Sequence, residues 1–232
     1  MTDTPQPNRR DAIVDALMRL AAEQPWNDIE VTDIARAAGV TLSEFRELFP
    51  SKGAVLGAFA RRIDRQVLDG TSDDLADEPA RERLFDVLMR RLDALAPYKS
   101  ALLRIAFAVR GDLVTMAALN GVALNSQRFM LATAGISTEG PLGSLKIQGT
   151  VIAFARTLET WLDDDDPALA RTMARLDREI RGGERFMERA EDLRRLTAPV
   201  RAIGAALFER RRPRRRAERW TDGDQGDPAA AI

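Results

Sequence analysis

Side chains able to make or break bonds are thinly represented in this sequence. Cysteine and histidine are both absent from its 232 residues. That removes thiol nucleophiles, Cys/His zinc sites and every acid–base relay built on imidazole. No other nucleophile stands out with a base beside it, and no glycine loop is spaced to cradle a phosphate. No catalytic residue, metal site or cofactor is therefore expected. The four aspartates at 163–166 offer hard oxygen ligands. Four adjacent residues on a turn cannot all point at one ion, however, and Asp166 before Pro167 has the pattern of a helix N-cap followed by a first helical residue. The cations concentrate at the end of the chain, where RRRPRRR begins at Arg210. This segment could attract DNA or an acidic surface. Pro213, Glu209 and Glu218 give it no helix with a basic face, so it reads as a solvated, disordered end.

The elements that must position any remaining chemistry are helices. Apolar residues recur three and four apart, and alternating β-branched runs are missing, so the fold class expected is all-α. A first helix spans about 8–23, with Ile13, Leu17 and Leu20 on one face, and stops at Pro25. A short helix capped by Thr32 follows and is closed by Gly39, whose positive φ turns the chain sharply. A second short helix covers about 42–48 and ends at Pro50. Ser51 then caps a long helix to about 69 that buries Val55, Phe59, Ile63 and Val67. The polar, turn-rich stretch 70–79 is the expected boundary between an N-terminal domain (1–70) and a larger helical body (71–209), with 210–232 as the tail. The body divides into helices near 80–96, 98–109, 112–134, 142–162, 167–181 and 197–211. Breaks are expected at Gly135, Gly140, Gly143, Gly182 and Gly183.

The segments IVDALMRLAAEQPW and VTDIARAAGVTLSEFRELFPSKGAVLGAF together resemble the N-terminal domain of the TetR family of transcriptional regulators. Ile34, Ala35, Ala38, Gly39 and Val40 match the first helix and turn of its helix-turn-helix, and Phe49, Pro50, Ser51 and Lys52 match the end of its second helix. The resemblance implies a helix-turn-helix at about 32–49, a body that binds a ligand and dimerises, and a homodimeric repressor of a double-stranded DNA operator. Ile34, Ala38, Val40, Phe45 and Phe49 are then packing residues. Thr41, Leu42, Ser43, Arg46 and Glu47 form the free surface of the reading helix, and by resemblance Thr32, Ser43, Arg46 and Lys52 touch phosphate or base edges. The sequence departs from the family at Leu42, where lysine is frequent, at Arg46, where an aromatic is common, and at Leu48, where His or Tyr is common. Residues 1–70 also carry nine basic side chains against eleven acidic ones, a balance that opposes DNA binding unless the cations share a face. The competing reading is a helical scaffold that has lost DNA binding.

Residues 101–134 hold more apolar surface than one helix face requires. By resemblance this region is the effector pocket, with Phe107 and Met116 as lining and Arg104, Asn120 and Arg128 as polar anchors for a small hydrophobic effector. Val151, Phe154, Leu158, Trp161 and Leu162, with Val200, Ile203 and Leu207 near the end of the chain, suit a four-helix dimer seam. The segments RRLDALAPYKSA and LETWLDDDDPALARTMARLDREI are also similar to parts of TetR-fold lipid-binding proteins of coenzyme Q biosynthesis, which gives the alternative of a lipid-binding accessory protein. The polar N-terminus does not read as a signal peptide. The longest uncharged stretch, 113–127, is too short to span a bilayer, so a cytoplasmic protein without membrane insertion is expected.

Overall fold

The computed structural model describes residues 8–70, 77–110 and 112–210, with the backbone alone at 113–114 and 193–210. Its elements are α1 (Arg9–Glu23), α2 (Val31–Ala37), α3 (Leu42–Leu48), α4 (Lys52–Asp69), α5 (Ala80–Leu95), α6 (Lys99–Val109), α7 (Leu113–Thr133), α8 (Gly143–Leu162) and α9 (Ala170–Arg210). No strand occurs among the described residues. The all-α expectation is met because each helix has one apolar face and a start or stop that the sequence supplies.

Asn8 begins α1 by accepting from the Arg10 amide at 3.1 Å. Ile13, Leu17 and Ala21 are fully buried on that helix. Ser51 begins α4 by accepting from the Ala54 amide at 3.2 Å, and its stripe of Val55, Phe59, Ile63 and Val67 is buried as the fourfold spacing requires.

Four local expectations are corrected. The first helix of the pair is not capped by Thr32, which lies inside its first turn, but by Glu30 in a reciprocal box with Asp33. The Glu30 amide donates to Asp33 Oδ2 at 3.1 Å. Helix α9 does not begin at Pro167. Asp166 instead accepts from the Ala168 amide at 2.9 Å within a turn, Leu169 takes a φ of 50°, and the helix starts at Ala170. Asp164, not Asp166, holds its first turn, accepting from the Thr172 amide at 3.0 Å and the Thr172 hydroxyl at 2.7 Å. Finally, Gly182 and Gly183 do not interrupt α9, so the two helices expected there are one. Glycine weakens a helix by about 1 kcal/mol relative to alanine but keeps its N–H and can adopt helical angles, so two of them lower stability without breaking the ladder.

The chain divides into two compact units, Met1–Met187 and Glu188–Ile232. Within the first, α1 packs on α2, α4 and α6, α4 on α5 and α7, and α7 on α8. The first four helices share one apolar cluster with the body, from Ile13 to Ile180. Of the second unit, helical backbone to Arg210 is described. The basic tail lies outside the described residues, as do the side chains of Val200, Ile203 and Leu207.

One polar tie crosses this core. The Arg91 guanidinium of α5 pairs with the Asp64 carboxylate of α4, and both side chains are 8% exposed. Ser126 of α7 donates to the other Asp64 oxygen at 2.7 Å, and Arg91 lies 5.5 Å from the centroid of the Phe154 ring on α8. A buried charge is tolerated only when paired and hydrogen-bonded, so the tie fixes how α4 sits against the body.

Candidate nucleic-acid interface

Helices α2 and α3 have seven residues each, too short to stand alone in water, and their angle must come from packing and caps. Thr41 caps α3 reciprocally: the Glu44 amide donates to Thr41 Oγ1 at 3.2 Å, and the Thr41 amide donates to Glu44 Oε2 at 2.8 Å. Between the helices Gly39 takes a φ of 67°, with nothing within 4 Å of where a Cβ would stand. The requirement for glycine there is one of backbone hand, not of space. Ile34, Phe45 and Phe49 are buried, with the two phenylalanine rings 6.1 Å apart. Arg10 covers Phe49 at 4.6 Å from its centroid, and Arg19 of α1 donates to the Ala37 carbonyl at 3.1 Å. Helix α1 thus holds both short helices from behind.

The opposite face is open. Thr32, Thr41, Ser43, Arg46 and Glu47 are exposed, and Leu42 is 52% exposed. Between the start of α2 and the face of α3 lies a cleft of about 580 Å³ lined by Glu30, Val31, Thr32, Leu42, Ser43, Phe45, Arg46, Phe49 and Pro50. Four of the seven candidate contact residues, Thr32, Leu42, Ser43 and Arg46, line this cleft, and Thr41 and Glu47 are exposed on or next to α3.

Lys52, the seventh, is turned away from it. Its ammonium donates to the carbonyls of Trp26 at 2.6 Å and Ile29 at 2.9 Å and lies 4.3 Å from the Trp26 ring centroid. Burial pushes its pKa below the ordinary lysine value, with the Asp28 charge acting in the opposite direction. The expectation that Lys52 meets phosphate is replaced by a role as a strut between α4 and the turn that leads into α2. The strut was missed because a lysine after Pro-Ser reads as a helix-start cation, and only the tertiary position of Trp26 reveals its other use.

Electrostatics on the reading helix also differ from a residue count. Glu44 is engaged by Thr41 and by an ion pair with Arg9. Its pKa is lowered, first by the Thr41 amide hydrogen bond, then by the Thr41 hydroxyl. Asp33 pairs with Arg36 at 3.0 Å and Asp15 with Arg62 at 2.6 Å. Arg46 has no carboxylate partner among the described residues.

This arrangement has relatives among solved structures. A TetR transcriptional regulator from Nitrosomonas europaea superposes with a TM-score of 0.60 at 24% identity, covering 75% of this chain and 97% of that one. One from Rhodococcus sp. RHA1 gives 0.58 at 18% identity, with 75% and 94% covered. The chain has the TetR-regulator fold. No family model and no curated protein sequence matches it.

On the TetR fold, the residues expected to form an effector pocket do not converge. Arg104 and Arg128 are exposed, Phe107 is 79% exposed and Met116 48%. Asn120 is paired with Gln148 of α8, each amide bonded to the other at 3.3–3.4 Å. Arg104, Phe107, Met116 and Arg128 lie on the surface of α6 and α7 and Asn120 is half-buried against α8, while Ile105, Met130 and Leu131 take inward positions of the two helices. The expected dimer seam is also revised. Val151, Phe154, Trp161 and Leu162 are buried within the subunit, and Leu158 is half-buried. The face that α8 leaves open carries Leu145, Gly149, Ile152 and Arg156. No helix among the described residues is long and apolar enough to cross a membrane.

Proposed function

We propose that this chain is a DNA-binding transcriptional regulator, not a catalyst, and that it acts as a homodimeric repressor. The observation that carries the reading is the open face of α3, where Arg46 is exposed and has no ion-pair partner among the described residues, while Glu44, the acid nearest the start of the helix, is turned to Arg9. That face offers a cation and hydrogen-bonding side chains on a rigid support, which is what a major groove requires. The two-fold dimer uses the open stripe of α8 around Leu145 and Ile152 and binds a pseudo-palindromic operator with half-sites about 34 Å, or a multiple of that, apart. A small apolar effector releases it on this reading, through a site other than the side chains of α6 and α7 first expected to line it.

Selection of bound fragments from genomic DNA tests the central point, with recovery of a palindromic motif as the expected result. A monomer at micromolar concentration by light scattering counts against the dimer. Failure to bind any fragment at low salt, together with a co-purified isoprenoid in native mass spectrometry, moves the assignment to a lipid-binding accessory protein.

A further inference from the structure

We propose that Leu42 is a specificity-determining residue that reads the 5-methyl group of a thymine in each operator half-site. The inference rests on the DNA-binding reading above and goes beyond it to the base that the surface selects. Leu42 is the first residue of α3 and is 52% exposed. The inward face of that helix is already completed by Phe45, with Phe49 next to it, so folding does not require a leucine at 42. It lines the cleft together with Val31, Phe45, Phe49 and Pro50, and Arg46 lines the same cleft.

The major groove is a row of donors and acceptors with one kind of apolar group, the thymine methyl. Leucine has no hydrogen-bonding atom. Set against a cytosine amine or a guanine oxygen, it would strip water from that group and return nothing. Against a thymine methyl, both partners lose unfavourable contact with water. The occupant is DNA on the reading proposed above: Arg46, which lines the same cleft as Leu42, has no ion-pair partner among the described residues, and Glu30 is the cleft's one acidic lining residue. The two side chains are four residues apart, hence on one helix face and about 6 Å apart along the axis. That distance is one to two base-pair steps, so the thymine lies within two steps of the base that Arg46 addresses.

The test uses the full chain and its selected operator. Each thymine is replaced singly by deoxyuridine, which removes the methyl group and nothing else. Binding is expected to weaken about four-fold at one thymine per half-site, the worth of one buried methyl group. Leu42→Ala, checked for an unchanged melting temperature, is expected to abolish the sensitivity at that thymine and leave any other unchanged. If no thymine is sensitive, or if Leu42→Ala binds with the same deoxyuridine profile as the unmodified protein, the proposal is overturned while DNA binding stands. If the unmodified protein binds no DNA at all, both readings fall together.

Discussion

Replacing Lys52 with alanine distinguishes a strut from a phosphate contact, because the two roles change different observables. The Lys52 ammonium makes hydrogen bonds of 2.6 and 2.9 Å to the Trp26 and Ile29 carbonyls and lies over the Trp26 ring. Each charge-assisted bond at this half-buried position contributes about 1 kcal/mol, below the roughly 1.5–3 kcal/mol of a fully buried one because the site is partly wet. The cation–π contact adds about 0.5–1 kcal/mol. Lys52→Ala should therefore destabilise the protein by about 2–3 kcal/mol. For a unit of this size that lowers the melting temperature by roughly 4–12 °C. Lys52→Met keeps the stem against Trp26 and should fall between the two. Operator affinity should drop in both variants because the start of α2 loses its support. The slope of affinity against salt should not change, since no phosphate has lost a partner. Calorimetry and binding titrations across salt concentrations measure both quantities. An unchanged melting temperature with a slope smaller by about one unit would refute the strut and restore Lys52 to the phosphate backbone.

Three further outcomes follow from the same geometry. Arg46→Ala should weaken operator binding by about 1–3 kcal/mol and relax preference at one base position, measured by competition among operator variants, with little effect on melting. At the buried tie, Asp64→Leu or Arg91→Leu alone should cost about 3–5 kcal/mol by leaving a charge unpaired, whereas the double variant should recover much of that in denaturant titration; additive losses would show that the pair is not coupled. Asp164 has its pKa lowered, first by the Thr172 hydroxyl bond and further by the Thr172 amide. A carboxylate held below its unfolded pKa stabilises the fold fully above about pH 5, and that stabilisation disappears as pH falls through the native value. The melting-temperature advantage over Asp164→Asn should accordingly shrink on acidification, and a gap that is constant with pH would remove the charge from the account.

The helix-turn-helix was readable because its signals are local. Gly39, Ser51, Pro25 and Pro50 act through their own backbone or the next turn, and the spacing of Val55, Phe59, Ile63 and Val67 fixes one buried face without reference to any partner. What was not readable depends on which of two apolar faces a helix gives to its own subunit. Helix α8 carries Val151, Phe154, Trp161 and Leu162 on one side and Leu145 and Ile152 on the other. Size and hydrophobicity made the first set look like a seam between subunits, yet the larger side chains fill the subunit's own core, since it gains most by burying them. One signal for the polar tie was present in the sequence. In α5 the buried register of Leu84, Val87, Leu88, Leu92 and Leu95 includes Arg91, and an arginine in a core register requires a buried carboxylate somewhere in the fold.

The charge balance of the first 70 residues is a coarse measure for a related reason. A sum of nine cations against eleven anions treats every charge as equally able to meet DNA, but an ion pair at contact distance presents little field a Debye length away. Asp15, Asp33, Glu44 and Asp64 are each held by an arginine, and Asp64 is buried in the core. The charges that matter are those left over on one surface. There, Arg46 stands beside Glu47 on α3 and shares the apolar cleft with Leu42 and Glu30, so the face carries no net positive charge and is unusually apolar. A protein with such a face should draw less of its affinity from phosphate neutralisation and more from base contacts, so its salt dependence should be shallow for its specificity. Titrations of the selected operator and of random duplex across the same salt range measure this directly. A steep slope, with nearly equal affinity for both duplexes, would mean that cations outside α3 dominate and that its surface contributes little to selection.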